Sequence, residues 1–253
     1  MPRRIIPTAL TLSLLFAASL SADVLLTKRR DADEFMFRGP GTPGAKNQKV
    51  EIWIGSDRVR RDDGRTALIL RLDQKRLYFI NHGDRTWSAT DLRQKGDRWR
   101  ATATYVAGPT ENVWRWHAKT EPVGETRQVG SWQATRHRVA LSSETGTAER
   151  IRLDWWVAPD LKVDDAPLRT LMLLLASFSS AGEEWLATVL ALPGAPVLYE
   201  RVEKQPEVDV KVREELVSVR EGEAPAGTYE LPAGYRGIDL GEYRETYGWP
   251  APL

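Results

Sequence analysis

The chain has 253 residues, 36 of them Lys or Arg and 35 Asp or Glu, for a formal charge of +1. Acids and bases are interspersed, which argues against general nucleic-acid binding, since that needs a positive surface to displace counterions. No cysteine is present, which excludes disulfides, thiolate metal sites and lipidation of a mature N-terminal cysteine.

The opening MPRRIIPTALTLSLLFAASLSA places two arginines before an apolar stretch from about Leu10 to Ala18, then small residues. That order predicts a secretory signal peptide over residues 1–22, cut after Ala22, with Ser21 fitting almost as well. The apolar core falls short of the ~20 residues of a permanent membrane helix. Loss of Arg3 and Arg4 leaves 34 bases against 35 acids, a charge of −1. The expected product is a periplasmic protein with no lipid anchor and no stable transmembrane segment, forming one domain over residues 23–253.

DVLLTKRRDA begins that domain as a β-compatible run. GPGTPGAKNQK then reads as an exposed, flexible loop over residues 38–48, because three glycines and two prolines prevent a helix or central strand. In KVEIWIGSDRVRRDD, Val50, Ile52 and Ile54 alternate with Glu51 and Trp53, the period of a strand, and Arg58 to Arg61 begins the return. Asp63-Gly64 is a hairpin-turn pair. Strands are predicted over Ala67–Leu72, Arg76–Asn81 and Thr86–Thr90, with connections short enough to require antiparallel pairing.

Gln94 to Arg98 reads as a polar break, and Trp99 to Val106 fits a strand or a short helix. Further strands are expected over Asn112–Lys119, Thr126–Val129, Gln133–Leu141 and Glu149–Val157. In the last, Ile151, Leu153, Trp155 and Val157 share one face, opposite Arg152, Asp154 and Trp156. Ala166 to Leu192 is rich in helix formers, with Pro167 suited to a first turn and Pro193-Gly194 to a stop. Ser179, Ser180 and Gly182 make two helices as plausible as one. Strands resume over Pro196–Glu203 and Val208–Arg220, and the chain ends in an irregular tail, residues 241–253.

Few residues offer chemistry. His82 beside Asp84 has the composition of a poised base, but NHGD fits a polar turn better. His117 and His137 would have to converge with His82 to hold zinc, and the arginines beside His137 oppose a cation. The serines of ASFSSAGEEW lack a nucleophile elbow, GPGTPG lacks the spacing of a phosphate loop, and no carboxylate pair can be placed across a glycosidic bond. No cofactor and no metal are expected. Ten tryptophans are more informative, because Trp53 and Trp156 oppose the aliphatic face of their own strands. Both faces of the sheet then need a cover other than water, unless the indoles are scattered along its rim.

VEIWIGSDRVRRD, ALILRLDQKRLYFINHGDRTW, GETRQVGSWQATRHRV and IRLDWWVAPDL occur in an order that resembles a large family of periplasmic proteins of unknown function, similar in fold to lipoprotein-localisation factors. The resemblance covers Lys49 to Leu161 and, more loosely, Pro196 to Leu240 with its LPAGY. Ala134 stands where many relatives have cysteine and His137 where many have tyrosine, so no redox role carries over. The resemblance implies an α+β fold, mainly β: a strongly curved antiparallel sheet, an incomplete barrel, wrapped around one or two helices. It implies no catalytic residues. In the lipoprotein-localisation factors the concavity receives acyl chains.

From these readings the expected function is non-enzymatic binding or carriage of an apolar or amphipathic partner, a lipid or an acylated protein. Leu168, Leu171, Met172, Leu175, Phe178, Trp185 and Trp155 are the candidate lining. The alternative is an envelope structural or assembly protein acting through exposed Trp53, Trp87 or Trp249. An enzyme would require two or three of His82, His117, His137, Asp84 and Asp154 to meet in a cleft.

Overall fold

A computed structural model describes residues 22–33, 44–95, 98–101, 116–143, 151–177, 184–204 and 209–247. The chain first forms six strands: β1 (Asp23–Ala32), β2 (Ala45–Ile54), β3 (Arg58–Asp62), β4 (Thr66–Arg71), β5 (Arg76–Asn81) and β6 (Thr86–Lys95). After β7 (Arg98–Ala101) come β8 (Trp116–Val129), β9 (Trp132–Ser143) and β10 (Ile151–Ala158). Helices α1 (Ala166–Ser177) and α2 (Glu184–Leu190) precede β11 (Ala195–Lys204) and β12 (Asp209–Gly222), and β13 (Arg236–Gly237) leads into α3 (Leu240–Tyr247).

All thirteen strands belong to one sheet, ordered β13-β6-β5-β4-β3-β2-β1-β12-β11-β10-β9-β8, with β7 added to β6. β2 to β6 form a meander as their short turns require. Gly64 at its Asp63-Gly64 corner takes the positive φ of 80° that the turn demands. The segments expected separately at Asn112–Lys119 and Thr126–Val129 fall on one long strand, β8, interrupted by a bulge after Pro122; residues 112–115 lie outside the described residues.

The expected incomplete barrel does not form. The sheet is mixed, because β13 runs parallel to β6, and it is open, neither closed nor strongly curled, ending at β13 and β8. The helices are three short elements laid against it, not a core that it wraps. Turn pairs and two-residue periodicity fix hairpins, whereas curvature accumulates from twist and bulges across strands far apart in sequence. The motifs that carried the resemblance are all of the first kind.

One face carries the main core. Val50, Ile52, Ile54, Val59, Leu68, Leu70, Leu77 and Phe79 from the meander join Leu153, Trp155 and Leu198 beyond the β1–β12 joint. Helix α1 lays Leu168, Leu171, Met172 and Leu175 on this core, the i, i+3, i+4, i+7 stripe of an amphipathic helix, and α2 adds Leu186 and Val189. Gly194 ends this region at a φ of 115°, where a Cβ would lie 2.5 Å from the Ala158 carbonyl oxygen. Only glycine fits that approach.

The reverse face of the meander has a second core of Ala67, Ile69 and Ile80, flanked by Trp53, Tyr78 and Trp87. The protein's own chain covers it: Tyr229, Leu231 and Tyr235 pack there, and Ile238 N donates to Trp87 O across the β13 junction at 2.8 Å. Part of the segment expected as an irregular tail is helical, since α3 sets Tyr243 5.9 Å from Phe79, ring centre to ring centre.

Leu171 is 1% exposed, whereas its neighbour Leu173 is only half-buried. Leu171→Ala should therefore destabilise the protein by about 2–5 kcal/mol and Leu173→Ala by clearly less. Denaturant unfolding of the two variants measures the difference.

Candidate functional site: an apolar cavity with a charged floor

Between α1, the end of α2 and strands β1, β10, β11 and β12 lies a cavity of about 60 Å³. Its walls include Leu26, Trp155, Leu168, Met172, Val189 and Leu216. On the more exposed side Arg169 pairs with Asp165 at 2.6 Å and also donates to the Leu190 carbonyl, tying the start of α1 to the end of α2. On the deep side stand Lys28, Tyr199 and Glu214. Pairing register explains their convergence, because Glu214 lies opposite Arg30 on β1 and opposite Tyr199 on β11, while Tyr199 lies opposite Trp155 on β10. Opposite residues of an antiparallel pair share a face.

Lys28 Nζ donates to Glu214 Oε1 at 2.9 Å, and Arg61 Nη2 is 3.7 Å from Oε2. Burial raises the pKa of the Glu214 carboxyl, but Lys28, Arg61 and Arg30 together outweigh it and hold the group down at about 2. Burial pushes the Tyr199 phenol up to about 12. The indole of Trp155, 2% exposed, rests 4.9 Å from the Tyr199 ring, and its N–H is buried with no hydrogen-bond partner. Most buried polar groups are already paired, so this N–H, on a residue that borders the cavity, is an exception.

Of the candidate lining, Leu168, Met172 and Trp155 border the cavity. Leu171 and Leu175 are buried in the adjoining core without lining it. Phe178 and the side chain of Trp185 lie outside the described residues. Lys28, Tyr199 and Glu214 were not foreseen. Their signal is a break in strand phase: Val210, Val212 and Leu216 point inward with Glu214 among them, as Leu26 and Ala32 do with Lys28 and Arg30. A charge in phase with the apolar face of a strand marks a buried charge that needs a partner.

The histidines do not converge. His82 Nε2 is 3.2 Å from Asp62 Oδ2 and Nδ1 is 3.0 Å from the Tyr235 hydroxyl, so its carboxylate is Asp62 and not Asp84. This bond fastens the 224–235 segment over the reverse face. His137 is half-buried on β9, where burial lowers its pKa, and the side chain of His117 lies outside the described residues. Among the described residues no group of three His, Asp or Glu could hold a metal. Asp154 instead takes Arg136, Arg138 and Arg152 on the reverse face. Beside it Trp156 is buried under Arg127, 3.8 Å from the ring centre.

A wider groove of about 260 Å³ on the reverse face is lined by Glu51, Trp53, Arg60, Asp62 and Thr228. Its polar groups largely satisfy one another. Arg60 donates to Asp62 and to the Thr228 carbonyl, and Asp62 also accepts from Gly64 N. The cavity under α1 is smaller but retains an unspent donor.

Neither any protein-family model nor any curated protein matches the chain. Among solved structures, PNGF-II in a C2 crystal form is similar at 10% identity and a TM-score of 0.41, covering 90% of this chain and 33% of that one. An uncharacterised conserved protein from Thermus thermophilus is similar at 7% identity and a TM-score of 0.43, covering 87% and 91%. The chain thus spans about a third of the PNGF-II chain. Scores this low decide nothing about fold or function, and neither structure supports the expected kinship with lipoprotein-localisation factors.

Because its folded pKa is depressed, Glu214 contributes stability that is complete above the ordinary carboxylate range and lost as pH falls toward about 2. Glu214→Gln leaves Lys28 and the arginines uncompensated and should cost roughly 3–5 kcal/mol near neutral pH. Unfolding free energies measured from neutral pH down to acid should show a shallower acid loss in the variant than in the wild type.

Proposed function

We propose that the protein binds a small amphipathic molecule in the cavity under α1, without converting it, after export from the cytoplasm. The unpartnered indole N–H of Trp155, a residue that lines a chamber with apolar walls and a charged floor, carries this reading. Ligand sites are mostly apolar, with a few convergent polar groups that fix orientation, and Trp155, Tyr199 and Lys28 have that arrangement. The export signal supports the compartment. Size limits the occupant: about 60 Å³ is well below the ~150 Å³ of an engineered cavity that takes up benzene. The acyl chain of a lipid or lipoprotein, expected from the resemblance, is therefore replaced by a short apolar group bearing a hydrogen-bond acceptor.

The alternative of an assembly protein working through exposed tryptophans loses its main support. Trp53 and Trp87 are partly buried under the 224–235 segment, and the large apolar residues exposed among those described are Val123 and Val217. Trp249 lies outside the described residues.

Titration with 1-butanol tests the proposal, read by the NMR signal of the Trp155 indole N–H. We expect a saturable shift of that signal, and we expect Leu168→Phe to abolish it by filling the cavity while leaving the unfolding temperature unchanged or raised. A signal that does not respond to butanol, or one that responds equally in Leu168→Phe, rules out the cavity as a binding site.

A further inference from the structure

The cavity under α1 is not equally shut on all sides. Towards the sheet its lining is buried, as at Leu26, Trp155, Tyr199 and Leu216, and β1, β12, β11 and β10 pair one to the next behind it. Leu168 and Met172 of α1 are buried too. Apart from Lys28, whose ammonium is held by Glu214, the partly exposed lining lies in three places. These are the approach to α1 between residues 161 and 165, Arg169 itself, and the stretch between 190 and 196 where α2 ends and β11 begins.

Arg169 joins the other two. Its Nε donates to Asp165 Oδ1 at 2.6 Å, and its Nη1 donates to the Leu190 carbonyl oxygen. Asp165 directly precedes α1 and Leu190 is the last residue of α2, so one guanidinium bridges both flanks of the opening. The Leu190 carbonyl belongs to the last turn of α2, where a helix leaves acceptors without internal partners. The Ala187 and Val189 carbonyls there take Ala191 N and Leu192 N, and arginine is suited to holding a further one. The Arg169 side chain is 36% exposed. Its bonds can break with the charge passing into water, at the small cost of a surface ion pair. Any other way in must part paired strands or unseat Leu168 and Met172.

We infer that Arg169 is the gate of the cavity: bridged to Asp165 and Leu190 it shuts the chamber, and swung into solvent it lets the occupant in or out. This rests on the cavity being a binding site and adds how passage through it is controlled. A gate that closes over the empty and the filled chamber alike sets the rate of exchange and leaves affinity unchanged, because it slows entry and exit by the same factor. A residue that held the ligand would instead act on the exit rate and on affinity together.

The test measures the entry and exit rates of 1-butanol by relaxation dispersion of the Trp155 indole N–H signal, in the wild type, Arg169→Ala and Leu192→Ala. In Arg169→Ala both rates should rise together by about tenfold, the factor for one charge-assisted hydrogen bond lost from the closed state, with the dissociation constant nearly unchanged. Leu192→Ala trims the same rim without touching the bridge and should exchange at close to the wild-type rate. If Arg169→Ala does not fold, Arg169→Lys serves, since it keeps the charge but lacks the fork that reaches both acceptors, and it should also speed exchange in both directions. Rates in the arginine variants equal to those of the wild type, or matched by Leu192→Ala, would overturn the gate and leave the cavity reading standing. A dissociation constant that weakens with the entry rate unchanged would also overturn it, by making Arg169 part of the binding surface. A wild-type signal that ignores 1-butanol would overturn both readings.

Discussion

Lys28 and Glu214, 186 residues apart in sequence, face each other's strands across the ladder of β1 and β12, and their ion pair sits on the seam of the molecule. On one side of that seam is the meander β1 to β6; on the other are β12 back to β8. Among the described residues, no other strand pairing joins the two halves into one sheet. The helix-face core crosses this joint from Leu26 to Leu216, and the cavity opens directly over it. Pairing two strands so distant in sequence requires closing a very long loop, so the contacts made there must outweigh a large loss of chain entropy. Apolar burial on both flanks provides most of the compensation, and the buried charges add specificity of register.

A sheet apolar on both faces cannot present either one to water. The chain meets this constraint twice, by different means. Helices α1 and α2 cover the helix face over the seam and the β8 side, while the stretch from Ala224 to Tyr235 covers the reverse face of the meander. Cations secure that stretch: Arg60 and Arg71 donate to the Thr228 and Tyr229 carbonyls, and Arg58 lies 4.7 Å over the Tyr229 ring. The reverse face of the β8 to β12 half is handled without a covering segment. There Arg127 and Arg136 lie over Trp156, and Glu200 accepts the indole N–H at 3.2 Å. Long basic side chains can shield an apolar ring while their charged ends stay near water, so the tryptophan that opposed the aliphatic face of its strand is buried after all.

The cavity follows from the same geometry. Helix packing over a wide sheet leaves gaps where the helix stripe and the sheet surface do not match, and here the gap lies where β1 and β12 carry charges instead of aliphatic residues. Lys28 and Glu214 cannot fill space as Leu or Ile would, and α1 passes above them. The resulting chamber is small, apolar at its walls and charged at its floor. Unlike the groove on the reverse face, it is bordered by a residue with a buried, unpartnered donor, the Trp155 N–H.

Local periodicity was enough to read most strands from β1 to β6, the strands from β9 to β12, the helical region and the hairpin turn at Asp63-Gly64, because alternation and turn chemistry act between neighbours in the chain. The inward and outward faces of β2 and β10 were legible for the same reason. What no local signal carried was the pairing of β1 with β12, the parallel addition of β13, and the openness of the sheet, and the resemblance to a curved half-barrel failed on these points. The site was legible in part. The stripe of α1 pointed to Leu168 and Met172, while the floor of Lys28, Tyr199 and Glu214 comes from three strands whose register exists only in the folded sheet. His82 shows the limit most plainly, since its sequence neighbour Asp84 proved irrelevant and its partners, Asp62 and Tyr235, come from β3 and from the far end of the chain. Sequence alone determines which residues alternate, turn and coil, because those are short-range energies; which charges meet, and where space remains between them, is decided by long-range pairing that only the tertiary structure contains.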